Sequence, residues 1–255
     1  MPARSSEPNT LRIIPLTGIP EVEPGADLAA LLRAAAERAS VSLADGVLVV
    51  CQKIVSKAEG RMVDLASIEP SEEAQRIARE DERDPRHVEL VLSESARIVR
   101  RGHGVLICET HHGLVCANAG VDLSNSPGPE IAILLPKDCD ASAAALRDAL
   151  CQGEECRLGV VISDTFGRPW REGLVDYAIG SAGLAPIADL RGRPDLSGRE
   201  LQVTATATVD QLAAAAGILM VKDAAIPAVW IEGLLPEGEG GVREMLRDPA
   251  TDLFR

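Results

Sequence analysis

The stretch Val160-Val-Ile-Ser163-Asp164-Thr165-Phe-Gly-Arg168-Pro-Trp170-Arg171 sets a carboxylate and a hydroxyl directly after an apolar run. Two adjacent hard oxygen donors suit Mg2+ or Mn2+ and a metal-bound phosphate, and in open α/β sheets ligands gather at the carboxyl ends of strands. Taken alone, the pair reads more simply as an Asx-turn or a helix N-cap, positions that Asp and Thr both favour. A second carboxylate stands in Asn118-Ala-Gly-Val-Asp122-Leu-Ser-Asn125, which by itself is also turn chemistry. If Asp122 and Asp164 meet across a sheet, they could share metal ions and position a transferring phosphoryl group. Lys57, in Ser56-Lys-Ala-Glu-Gly60, is either a point charge for phosphate or a solvated loop lysine. Arg168 and Arg171 flank Trp170 and suit a carboxylate or phosphate, with the indole on a planar ligand or an arginine plane. Equally, Trp170 fits a subunit contact, where tryptophan is enriched.

The elements that must hold these residues follow from periodicity and punctuation. Leu11 to Leu16 and Gly46 to Cys51 read as strands, the second apolar almost throughout, as strands covered on both faces are. Between them, two prolines stiffen the loop from Ile19 to Gly25, and Asp27 caps a helix running to Ala39. Residues 71 to 99 carry two helices divided at Pro85, their charges forming a solvated face. A hairpin over Gly104 to Ala117 leads into the Asp122 segment. Ile131 to Leu135, an Asp140-capped helix to Leu150 and the strand Leu158 to Ser163 come next. Leu201 to Ala207 alternates like a strand, Val209 to Val221 is an Ala-rich helix, and Ala228 to Ile231 is a last strand. Interleaved strands and helices predict a mixed α/β fold. There is no phosphate-binding P-loop and no Rossmann glycine fingerprint in the sequence, so a nucleotide here would be held by metal and scattered loop groups.

Composition narrows the class. Of 255 residues, 46% are apolar, ample for a buried core, while only 2% are aromatic, so the core is built from Val, Leu, Ile and Ala. A net charge of −13 with no basic stripe argues against nucleic-acid binding. No apolar run approaches the roughly 18 residues that a membrane span requires. MPARSSEPNT lacks an apolar signal core and reads as a disordered lead-in over residues 1 to 10. Six cysteines without a CxxC pair suggest free buried thiols and a cytoplasmic protein. The group Cys108, His111, His112 and Cys116 has the residue types for zinc, but adjacent histidines on a strand point to opposite faces, which favours core cysteines and hairpin-tip histidines.

Four segments together, NAGVDLSN (118 to 125), SDTFGRPWREG (163 to 173), VSKAEGR (55 to 61) and GRPDLSGREL (192 to 201), resemble those of the coenzyme F420 gamma-glutamyl ligases, in order and over about Leu11 to Gly240. The resemblance implies an enzyme that adds L-glutamate to a carboxylate-bearing deazaflavin coenzyme precursor, using GTP, Mg2+ or Mn2+ and also K+, through an acyl phosphate. It implies two intertwined α/β subdomains over residues 11 to 255 and a homodimer. It assigns Asp122 and Asp164 as catalytic metal ligands with Thr165. Ile19, Pro20, Glu21, Val22, Gln52, Lys53, Lys57 and Asn125 would contact nucleotide, and Met220, Val221, Lys222, Asp223, Ala224, Ala225 and Ile226 would complete that site. Arg168, Trp170 and Arg171 are substrate candidates by residue type alone, with a subunit contact as the alternative for Trp170. The same chemistry on another acceptor, such as a folate-like molecule, and a non-catalytic nucleotide- and metal-binding protein are the alternative readings.

Overall fold

A computed structural model describes residues 10–152 and 156–253; residues 1–9 of the expected lead-in lie outside the described residues. In chain order the elements are β1 (Arg12–Pro15), α1 (Leu28–Arg38), β2 (Asp45–Cys51), α2 (Gln52–Ala58), β3 (Met62–Asp64), α3 (Glu72–Asp81), α4 (Pro85–Ser93), β4 (Ser95–Gly102), β5 (Val105–Thr110) and β6 (Val115–Ala117). After these come β7 (Ile131–Ile133), α5 (Cys139–Cys151), β8 (Arg157–Arg168), β9 (Arg171–Ala182), β10 (Ile187–Asp189), β11 (Ala205–Ala207), α6 (Thr208–Gly217) and β12 (Ala228–Glu232). The fold is mixed α/β.

The main sheet has the order β1-β12-β2-β8-β9. β2 and β8 run parallel, and the other pairs are antiparallel. The parallel pair is the centre of the molecule, with Val47 to Val50 and Leu158 to Ile162 screened from solvent by α1, α5 and α6. Helix α1 shows why the sequence folds this way: Leu28, Ala29, Leu32, Ala35 and Ala36 fall on one face and are buried, and the Asp27 carboxylate accepts from the Ala30 N–H. Leu32 is fully buried, so Leu32→Ala would cost about 2–5 kcal/mol. A second hydrophobic cluster joins α3, α4, β5, β7 and the 119–121 segment through Ile77, Val88, Val91, Leu106, Cys108 and Ala132. The Asp122 segment lies beside this cluster, and its N–H and carbonyl both bond to Ile133.

Several expectations change. The apolar run ending at Ser163 does not stop there: β8 continues through Asp164 and Thr165 to Arg168 and returns as β9, so Asp164-Thr165 is neither an Asx-turn nor a cap. Lys57 is on helix α2, and only 6% of its side chain is exposed, so it is not a loop lysine. The cap of α5 is Asp138, which accepts from the Ala141 N–H. Asp140, two residues on, instead accepts from the N–H groups of Ser181, Val242 and Arg243. Of the strand expected over Leu201 to Ala207 only Ala205–Ala207 forms, and the last long helix ends at Gly217. Cys151 and Cys156 are joined as a disulfide, which departs from the expectation of free thiols throughout; Cys108, Cys116 and Cys139 are buried and free. His111 faces the Ser93 carbonyl and His112 those of Pro136 and Lys137. Among the described residues no helix is long and apolar enough to cross a membrane.

Candidate active site

A cavity of about 780 Å³ opens where the carboxyl end of β2, the outer half of the β8–β9 hairpin and three loops converge. The strands and α2 bring Lys53, Lys57, Asp164 and Thr165; the loops bring Ile19 to Val22, Asp122, Asn125, and Met220 to Asp223 with Ala225 and Ile226. Residues more than two hundred positions apart in sequence, Ile19 and Ile226, thus line one space. Gln52 does not: it is fully buried, with Oε1 accepting from the Ser56 hydroxyl, and its register on α2 turns it inward while Lys53 faces the cavity. Ala224 is absent from the lining as well. Arg168, Trp170 and Arg171 are at the hairpin turn, outside the lining, where Arg168 pairs across from Arg171 and Trp170 is 79% exposed.

The charges are arranged unevenly. Lys53 Nζ meets Asp122 Oδ2 at 2.9 Å and also donates to the hydroxyl and carbonyl of Ser124, at 2.7 and 3.1 Å. The Ser124 N–H donates to Asp122 Oδ1 at 2.7 Å. Burial alone would raise the Asp122 pKa, but Lys53 and these N–H and hydroxyl groups outweigh it and hold the carboxyl below its usual range. Asp164, half-buried in the same cavity, has only the Thr165 N–H and the more distant Lys53 charge to favour its ionised form, and no cation in contact among the described residues. Burial, with the nearby Asp122 charge adding to it, pushes its carboxyl up to about 7. Lys57 Nζ bonds Glu21 at 2.5 Å and the Asn125 carbonyl at 2.8 Å, and Asn125 Nδ2 reaches the Lys222 carbonyl at 3.3 Å. These bonds tie three loops into one rim.

Sequence reasoning missed Asp176. It faces Thr165 across the β8–β9 ladder, lines the cavity, and accepts the Thr165 hydroxyl proton at 2.7 Å. Burial raises its pKa. The Thr165 oxygen lone pairs are thereby left for another partner. Gly217 makes room for this carboxylate, since a Cβ there would sit 2.6 Å from Asp176 Oδ2. The signal was thin: Asp176 stands in a strand of mixed polarity with no motif around it.

Could the site hold a divalent cation? Among the described residues no group of three or more His, Cys, Asp or Glu side chains is placed to ligate one together. The available donors are the Asp122 and Asp164 carboxylates and the Thr165 hydroxyl. That set is too small for a closed protein cage and fits Mg2+ or Mn2+, which keep waters or phosphate oxygens in their shells. The mutual repulsion of Asp122 and Asp164 is what such a cation would relieve.

A mixed α/β chain that gathers carboxylates and lysines in one cavity without a P-loop has a known counterpart. Residues 18–233 match the family model described as F420-0:Gamma-glutamyl ligase, and the chain belongs to that family. Its relatives include a protein of Methanothermobacter thermautotrophicus named coenzyme F420:L-glutamate ligase, 45% identical over 251 residues, covering 96% of this chain and 99% of the relative. Proteins of the same name from Methanopyrus kandleri and Archaeoglobus fulgidus are 46% and 39% identical, each over 96% of this chain and, respectively, 98% and 96% of the relative.

Proposed function

We propose that this chain is a GTP- and metal-dependent ligase that joins L-glutamate to the carboxylate-bearing side chain of the coenzyme F420 precursor. The observation that carries the reading is the meeting of Asp122, Asp164, Thr165, Lys53 and Lys57 in one cavity of a chain 45% identical to a coenzyme F420:L-glutamate ligase. A carboxylate is a poor electrophile, so its oxygen first attacks the γ-phosphorus of GTP and GDP leaves. The glutamate amine then attacks the acyl carbon, loses a proton as the amide forms, and phosphate departs with the acyl C–O bond. Mg2+ or Mn2+, when bound, supplies positive charge against the triphosphate.

Within this reading, Asp122, Asp164 and Thr165 hold the cation and Asp176 orients the Thr165 hydroxyl. Lys57 turns from Glu21 to phosphate, because a triphosphate offers more negative charge than one carboxylate with most of its side chain exposed. Asn125 and the 19–22 and 220–226 loops border the nucleotide. K+ as a further activator and a homodimer with two α/β subdomains per chain belong to the same proposal. Purified protein with GTP, Mn2+, L-glutamate and the unglutamylated coenzyme is expected to release phosphate and add one glutamyl mass or more. Neither product in that assay would refute the activity, and replacing the acceptor by a folate-like carboxylate in parallel tests the acceptor class.

A further inference from the structure

A second cleft, of about 530 Å³, lies between the start of α4, the residue after Asp122, and the Pro129–Glu130 turn. Two arginines line it in opposite circumstances. Arg86 is committed to Asp84 and Glu130, at 2.7 and 2.9 Å. Arg83 is half-buried, makes no ion pair among the described residues, and has its pKa pushed down by burial. Its Nη2 donates to Asn118 Oδ1 at 3.0 Å and to His87 Nδ1 at 3.1 Å, while Nη1 is buried without a partner. A guanidinium can only donate, so His87 Nδ1 accepts and the ring proton sits on Nε2. That nitrogen is also buried without a partner.

A half-buried guanidinium whose nearest opposing charge, Asp81, acts on it without an ion-pair contact is costly, as are unmet buried donors. Two such donors on touching side chains match a single group with two acceptor oxygens. We propose that this cleft binds a carboxylate, with Arg83 Nη1 and His87 Nε2 each donating to one of its oxygens. Both nitrogens are covered by protein, so the ligand engages them as the Arg83 guanidinium and the His87 ring, which both line the cleft, turn toward it. The location gives the site a use. Leu123 walls the cleft directly after Asp122, and Asn118, which Arg83 holds, lines the larger cavity, so the two spaces share the 118–123 segment. The carboxylate would come from free L-glutamate or from the coenzyme precursor; that choice of sources rests on the ligase reading.

The test is calorimetric titration of the full chain with L-glutamate, with the coenzyme precursor and, as a bare dicarboxylate, with malonate. Saturable binding of at least one is expected, weakened at least about tenfold in both Arg83→Gln and His87→Phe while melting temperatures stay native. Unchanged affinity in both variants, no binding of any of the three, or equal binding of inorganic phosphate would overturn the proposal. Malonate binding that depends on Arg83, in a protein inactive in the ligase assay, would sink the ligase reading alone. Should the variants fail to fold, the His87 ring nitrogen resonances of the wild-type chain are followed as malonate is added; resonances that do not move count against the site.

Discussion

The loop that carries Asp122 and the strand that carries Asp164 face one cavity, yet they set the charge of their carboxylates in opposite ways. On the loop, Lys53 and the Ser124 N–H meet Asp122 and keep it ionised. On the strand, backbone pairing with β9 fixes Asp164 in place and brings no cation within salt-bridge distance among the described residues, so burial, helped by the Asp122 charge, pushes its carboxyl up to about 7. The difference teaches where an incoming cation gains most: at Asp164, whose charge the fold leaves unmet, rather than at Asp122, where a lysine already stands.

The sharpest way to break this contrast is Asp164→Asn. Turnover in the ligase assay should fall by at least about a hundredfold, since an amide is a much weaker metal ligand, with the circular dichroism spectrum retained. Stability should move as well. The folded-state pKa of Asp164 lies above its unfolded value of 3.8, so the folded chain binds the extra proton between about 4 and 7 and loses stability as pH rises through that window. Without metal, Asp164→Asn should therefore raise the melting temperature at pH 8 by about 2–8 °C and leave it unchanged at pH 4. An equal shift at both values would remove the buried charge from the account.

Asp176→Ala tests the strand side one step further out. Losing the acceptor for the Thr165 hydroxyl should weaken Mn2+ binding about 10- to 100-fold by titration, and Asp176→Asn, whose amide oxygen still accepts, should recover part of it. Lys53→Met acts on the loop side with a smaller effect and opposite sign. Without a competing ammonium on Asp122, Mn2+ affinity at pH 8 should rise a few-fold, about 1 kcal/mol or less; a fall would mean that Lys53 positions the carboxylate instead of competing for it. The smallest change belongs to Trp170→Ala at the hairpin turn, where KM for L-glutamate should shift by less than about twofold.

The apolar frame was legible in the sequence because β2, the first half of β8 and β12 are buried and show it as short apolar runs, Val47 to Val50, Leu158 to Ile162 with one glycine, and Ala228 to Ile231. The outer half of the β8–β9 hairpin was not. Its first residues are exposed, its turn places Trp170 at a positive φ of 59° where no Asn-Gly signal announces it, and β9 alternates poorly. Asp176 was lost with it. Asp140 resembled a cap because it is an aspartate directly before an Ala-rich helical run; only the tertiary fold shows that it collects N–H groups from β9 and from the 242–243 turn. The residues that line the cavity were largely readable as motifs, while the bonds among them, Lys53 to Asp122 above all, depend on loop geometry that no spacing encodes.

The chain has two tryptophans, and the fold sends them to opposite surroundings: Trp230 is sealed in the central sheet at 1% exposure, and Trp170 stands at the hairpin turn. Intrinsic emission therefore divides into two separable signals. Iodide should quench the red-shifted light of Trp170 while leaving the blue-shifted light of Trp230, so one unlabelled sample reports hairpin accessibility and core integrity at once. Anything that covers the hairpin, whether a nucleotide, an acceptor or a second copy of the chain, would be read as protection of the red band alone.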